Sequence, residues 1–142
     1  MALRVFVDSD VIISSLISDS GAAYLLLHQT GRVDYYISNF SITELERVVM
    51  KLSLETTELK KLIHKVFKVI HLDESTQQLK VKYKDHVLDA DDAHIVAGAH
   101  RANCQFLITY NTRHFKLAKI KDDFSVITIT PASFLQYLRS IY

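Results

Sequence analysis

Flexible-linker residues are scarce in this chain. Only 3 Gly and 1 Pro occur in 142 residues, so long mobile connections between domains are not expected. The length suits a single domain spanning residues 1–142. A domain of that size buries roughly 68–70% of its unfolded surface. With one cysteine, Cys104, no internal disulfide is possible. One Cys and seven scattered His also speak against a structural zinc site, which needs clustered ligands. No apolar run approaches the roughly 20 residues of a membrane span, and no leader-like segment precedes the first strand. The expected compartment is therefore the cytoplasm, with no membrane partner. A large charge of one sign is lacking too. The net charge is +1, so any nucleic-acid contact must come from local basic groups. What remains is ordinary for a globular domain: 49% hydrophobic and 23% charged residues, too apolar for disorder.

Short apolar runs alternate with helical stretches. Leu3 to Val7 reads as a strand buried on both faces, ended by Asp8 to Asp10. Val11 to Ile17 is apolar and leads into a turn. Ser20 is a candidate cap for a helix over Ala22 to Gln29, with Gly31 closing it. Val33 to Ser38 reads as a second strand, and Ser41 as the start of a helix to about Leu52. An amphipathic helix is expected from Thr56 to about Val69, followed by a short strand around Val69 to Leu72. A helix from Ser75 to about Lys84 comes next. Asp89 opens another that ends near Asn103. Phe106 to Thr109 and Val126 to Ile129 complete the strands, and Pro131 starts a last helix. This alternation implies a parallel sheet covered on both faces.

In open parallel sheets, ligands bind beyond the carboxyl ends of the strands. Asp8 and Asp10 follow the first strand, Asn39 and Glu44 the second. Asp89, Asp91 and Asp92 open the helix feeding the strand Phe106 to Thr109. Carboxylates gathered at one edge repel one another unless a cation joins them. An all-oxygen donor set without Cys suits Mg²⁺ or Mn²⁺. Such ions activate water against a phosphodiester and stabilise its leaving oxygen. Each acid also has a simpler role open to it. Ser41-Ile42-Thr43-Glu44 has the form of a capping box, Asp89 to Asp92 that of a helix cap with first-turn acids, and Asp8 and Asp10 are potential caps of the first helix. These roles do not exclude a shared metal.

The same segments resemble PIN-domain ribonucleases, and within them the toxin components of VapBC-type toxin–antitoxin systems. Arg4 to Ser14 (RVFVDSDVIIS) looks like that family's opening strand and first acid. Ser41 to Leu45 (SITEL) is similar to the helix start with the second, and Asp89 to Ala99 (DADDAHIVAGA) to the block with the third, Asp92 taking the ligand position. Leu107 to Phe115 (LITYNTRHF) resembles the closing strand and loop, and Ile127 to Leu135 (ITITPASFL) the last strand and helix start. The resemblance implies a three-layer α/β/α domain with a central parallel sheet of four or five strands. It further implies a divalent-metal-dependent endoribonuclease with catalytic positions at Asp8, Glu44, Asp92 and Asn111 and metal ligands at Asp8, Glu44 and Asp92. RNA, a small antitoxin and a second copy of the chain are the implied partners. Two positions depart from the pattern. Asn111 stands at the fourth acidic position and brings no charge, which weakens a second metal. Asp10 replaces a common Asn and is a candidate supporting carboxylate.

Arg113 and His114, in the loop after Thr109, are candidate RNA phosphate contacts. His94 lies two residues from Asp92 and so on another helix face, which fits packing or hydrogen bonding better than ligation. The lysines from Lys60 to Lys84 read as solvated helix faces, with steering of RNA as the alternative. A phosphatase of the haloacid-dehalogenase class shares Asp8-x-Asp10, but here the acidic pair precedes the Thr. A phospho-receiver domain requires a Lys after its fifth strand, whereas here Ile129-Thr130-Pro131 follows Val126 to Thr128. A stronger rival is a catalytically weak PIN-fold module that binds RNA or a partner.

Overall fold

The structure is a computed structural model, and it describes residues 2–29 and 31–142. Five parallel strands form one sheet: β1 Leu3–Val7, β2 Val33–Ser38, β3 Phe67–Ile70, β4 Phe106–Ile108 and β5 Ile127–Ile129, in the order β3-β2-β1-β4-β5. Among the described residues, eight α-helices cover it: α1 Ser9–Ile17, α2 Ala22–Leu27, α3 Asn39–Lys51, α4 Thr56–Val66, α5 Thr76–Tyr83, α6 Ala93–Arg101, α7 Leu117–Phe124 and α8 Pro131–Ile141. The expected three-layer α/β/α arrangement is what forms.

Strand pleating divides the core in two. Val5 and Val7 face one layer with Tyr35, Ile37, Phe106 and Ile108, packed by α1, α2, α3, α4 and α8. Phe6 points the other way, with Tyr36 and Leu107, and meets α5, α6 and α7. Burial on both faces explains why Val5 to Val7 of β1 and the whole of β4 are continuously apolar.

Several boundaries differ from the sequence reading. Residues 9–17 form a helix where only an apolar stretch leading to a turn was expected, because Val11, Ile12, Ile13 and Ser15 of the run past Asp8 are buried. Ser20 does not cap α2. Gly21 holds the N-cap position without a side-chain bond, and the helix closes at His28 rather than at Gly31. Thr30, within that expected segment, lies outside the described residues. The helix expected from Ser41 begins at Asn39. Its capping box is Ser38 with Ser41: the Ser38 hydroxyl accepts from the Ser41 amide at 3.2 Å, and the Ser41 hydroxyl from the Ser38 amide at 3.0 Å. Glu44 is therefore free of the capping role.

Helix α4 stops at Val66, and the strand expected at Val69 begins at Phe67, where it pairs with Tyr35. Phe67 falls four residues after Ile63 and continues the helical stripe, so periodicity could not mark the change. Helix α7 was not anticipated at all. Only Ile120 of it is buried, which leaves a weak apolar signal.

Strand β1 lies between β2 and β4. The chain leaves β1 toward β2 and returns later on the other side to β4. That reversal opens a crevice at the carboxyl ends of β1 and β4.

Candidate active site

Asp8 is the first residue past β1, and its amide donates to the Ile108 carbonyl of β4 at 2.9 Å. The backbone thus fixes it in the crevice. It occupies the N-cap position of α1, yet its side chain makes no capping bond. Its carboxylate instead accepts the Thr109 hydroxyl at 2.9 Å. Only 8% of Asp8 is exposed. Burial first, then the charge of Asp10, and more weakly those of Glu44 and Asp92, push its pKa up to about 8, while the Thr109 bond works against them.

Asp10 sits one residue into the first turn of α1. Its Oδ2 receives the Tyr110 amide at 3.1 Å, the Asn111 side-chain amide at 3.2 Å and the Thr109 hydroxyl at 3.3 Å. Its Oδ1 is buried and has no hydrogen-bond partner. Burial raises its pKa as well, against those bonds. Asn111, in place of a fourth acid, therefore contacts Asp10, and the negative charge is carried on α1 rather than after β4.

Glu44 reaches in from the middle of α3. His94 of α6 lies 3.0 Å from it and, as the largest influence, holds its carboxyl below the usual range. His94 thus acts as a hydrogen-bonding neighbour, as its helix position suggested, and it stacks on Phe40. Asp92 ends the short 3-10 turn Ala90–Asp92 before α6 and also makes no capping bond; the cap is Asp89, which accepts the Asp91 amide at 2.9 Å. Burial and the charge of Asp89 raise the Asp92 pKa. Next to it, His114 places Nδ1 3.7 Å from the Asp92 carboxylate. Arg113 stands exposed beside His114 in the same turn.

The crevice therefore brings Asp8, Asp10, Glu44 and Asp92 within reach of one another's charge. Among the described residues, no three His, Cys, Asp or Glu side chains close on one point as a ready-made ligand set. Mg²⁺ keeps several of its own waters and is usually held by one or two carboxylates, so it does not need such a cage. The donor set fits a hard divalent ion: every candidate donor is oxygen, Asp10 keeps a buried oxygen without a partner, and among the described residues Asp8 and Asp10 form no ion pair.

Sequence reading passed over Thr109 except as the end of a strand. It is fully buried and joins Asp8, Asp10 and the Asn111 amide. A hydroxyl residue directly after the strand beside β1 was the available signal. Thr109→Val keeps the shape and removes these bonds. Isothermal titration with Mn²⁺ is expected to show about 10–100-fold weaker binding, the usual cost of losing such support. An unchanged affinity would assign Thr109 to packing alone.

A model of the PIN domain matches residues 4–113, most of the chain. The chain belongs to the PIN-domain family. Members of this family are generally nucleases and typically depend on divalent metal. No curated protein sequence matches the chain. Among solved structures, this PIN domain is similar to a chain of FitAB bound to an IR36 DNA fragment, with TM-score 0.61, 17% identity, and 89% of this chain and 94% of that one covered. It is also similar to a chain of a toxin–antitoxin complex from Klebsiella pneumoniae (0.58; 21%; 87% and 96%). VapBC2 from Rickettsia felis, bound to a promoter DNA fragment, is a third (0.60; 15%; 90% and 98%). At these identities the likeness establishes the fold. Among the described residues of this PIN domain, no helix is long and apolar enough to cross a membrane.

Proposed function

We propose that this PIN domain is a Mg²⁺- or Mn²⁺-dependent endoribonuclease, acting in the cytoplasm as the toxin of a toxin–antitoxin pair. The observation that carries the reading is a buried Asp8 facing three further carboxylates in the crevice between β1 and β4. Asp8, Glu44 and Asp92 would hold the ion. When bound, it supplies a Lewis acid and water of lowered pKa for attack on a phosphodiester. Asp10, held by Asn111 and Tyr110, adds negative charge beside it. Thr109 orients Asp8. His114 stands beside Asp92, Arg113 is its exposed neighbour in the same turn, and both suit contact with RNA phosphate. The toxin assignment draws support from the toxin–antitoxin complexes among the similar structures. A small antitoxin and a second copy of the chain are the proposed protein partners. With three carboxylates and Asn111, one firmly held cation is the expected stoichiometry.

Asn111 at the fourth position favours one competing reading, a catalytically weak module that binds RNA or a partner. Labelled structured RNA separates the two. The full chain is expected to cleave it with Mn²⁺ or Mg²⁺ and to stop in EDTA. Asp92→Asn is expected to lower the rate by about 100-fold or more, at or beyond what lost outer support of a metal site costs. Cleavage that survives EDTA, or that neither Asp8→Asn nor Asp92→Asn changes, would overturn the mechanism.

A further inference from the structure

Glu44 is shared by two cavities on either side of it. One, of about 450 Å³, lies toward α1 and is walled by Ile13, Ile17 and Val48, with Asp10 and Glu44 as its charged groups. Phosphate would meet only negative charge there. The other, of about 550 Å³, lies between α3, α5 and the turn before α6. Its volume is within the roughly 300–1,000 Å³ of small-molecule sites. It differs in two respects, an aromatic surface and a free cation.

The aromatic surface is Phe40. Its ring is half-buried and stacks on His94 with centroids 5.9 Å apart and planes 25° off parallel. His94 is in turn fixed by Glu44 at 3.0 Å. The ring pair is thus a stiff platform whose far end touches the acidic crevice. Stacking on such a surface is how proteins take up unpaired bases, with little dependence on sequence.

The cation is Arg47. It follows Phe40 by seven residues and Thr43 by four on α3, so all three share a helix face. Arg47 is exposed and forms no ion pair among the described residues. Two other polar side chains of the cavity, Lys80 and Asn39, are already engaged. Lys80 pairs with Asp91 at 2.8 Å across the opposite wall. The Asn39 side chain both donates to and accepts from the Leu72 backbone, at 3.1 and 2.8 Å. Arg47 is left as the group able to grip an anion, and its planar guanidinium matches phosphate geometry.

We propose that this cavity seats one nucleotide of the RNA strand next to the cleaved bond, its base stacked on Phe40 and its phosphate held by Arg47. The inference rests on the ribonuclease reading above and adds a direction. The strand would enter by Arg113 and His114, cross the carboxylates, and continue past Glu44 to α3. Specificity for unpaired RNA then follows from the platform, because a paired base cannot present its face.

The test measures binding, apart from cleavage. A fluorescein-labelled single-stranded oligoribonucleotide is titrated by anisotropy with the full chain carrying Asp8→Asn, across a series of salt concentrations. Arg47→Ala added to that background is expected to weaken binding and to reduce the slope of log affinity against log salt by about 0.7, one single-strand phosphate contact. Phe40→Leu is expected to weaken binding about tenfold with the slope unchanged, and Phe40→Tyr to restore it, since tyrosine retains the ring. Circular dichroism melts verify that each variant folds. Unchanged affinity and slope in both Arg47→Ala and Phe40→Leu would overturn the proposal and leave the cavity to a protein segment. A failed nuclease reading shows separately, as intact RNA with the unsubstituted protein and Mn²⁺.

Discussion

Asp8→Asn is expected to abolish RNA cleavage and, in EDTA, to make the protein more stable above neutral pH. The two effects share one cause. Asp8 is held protonated by burial and by its acidic neighbours, with a pKa of about 8 against 3.8 for the free side chain. Between those values the folded chain binds a proton that the unfolded chain has released. Stability in EDTA is therefore fully present below about pH 4 with respect to this group, and it falls as pH rises toward 8. The limiting slope is about 1.4 kcal/mol per pH unit for one proton. Asp10 and Asp92, also raised, add to the trend; Glu44, lowered by His94, has the opposite slope at acid pH. Asparagine still accepts from Thr109 but carries no charge to bury.

Thermal melts in EDTA are expected to show wild-type Tm falling between pH 5 and pH 8, with Asp8→Asn flatter and higher by about 3 °C or more at pH 8. Millimolar Mn²⁺ is expected to reverse the order by stabilising wild type alone, since a ligand of the folded state adds stability by mass action. A lower Tm for Asp8→Asn at pH 8 in EDTA would show that the carboxylate serves the fold rather than the ion.

Gly98→Ala is expected to destabilise the protein, although alanine is the better helix former. Gly98 is inside α6, directly over Phe6, and a Cβ there would collide with the end of the Phe6 ring. Phe6 is fully buried in the middle of β1, so its ring has no open space to swing into. Replacing Gly by Ala in a helix gains about 1 kcal/mol. Overpacking a filled core costs about 1–3 kcal/mol. The collision wins because both elements are fixed: β1 pairs on both sides, and α6 packs along its whole buried face. A net loss of about 1–2 kcal/mol, read as a Tm lower by several degrees, is expected. Adding Phe6→Leu shortens the obstructing side chain and is expected to recover part of the loss. A double-mutant cycle without coupling would place the strain elsewhere. Cleavage should suffer too, because the same contact sets the height of α6, which carries Asp92 at its start, over β1, which delivers Asp8.

Much of this molecule is fixed by local chemistry. Leu3–Val7 and Phe106–Ile108 form strands because their continuous apolar stretches, Val5 to Val7 and Phe106 to Ile108, bury on both faces. Pro131 starts α8 because its missing N–H is not needed there. The positions of Asp8, Glu44 and Asp92 after strands and at helix starts were legible for the same reason, and with them the expectation of a metal-binding edge. Tertiary structure decided what the acids contact. Ser41-x-x-Glu44 has the form of a capping box, yet the cap is formed by Ser38 and Ser41, and Glu44 turns to His94, fifty residues away. Asp89 keeps the capping role in its segment and frees Asp92. Phe67 left the helical stripe because Tyr35 was waiting to pair with it. Thr109 reached Asp8 and Asp10 only because β4 was laid beside β1. Periodicity and caps operate over a few residues, whereas the charge shared by Asp8, Asp10, Glu44 and Asp92 exists only once the reversal of strand order has brought their four segments to one crevice.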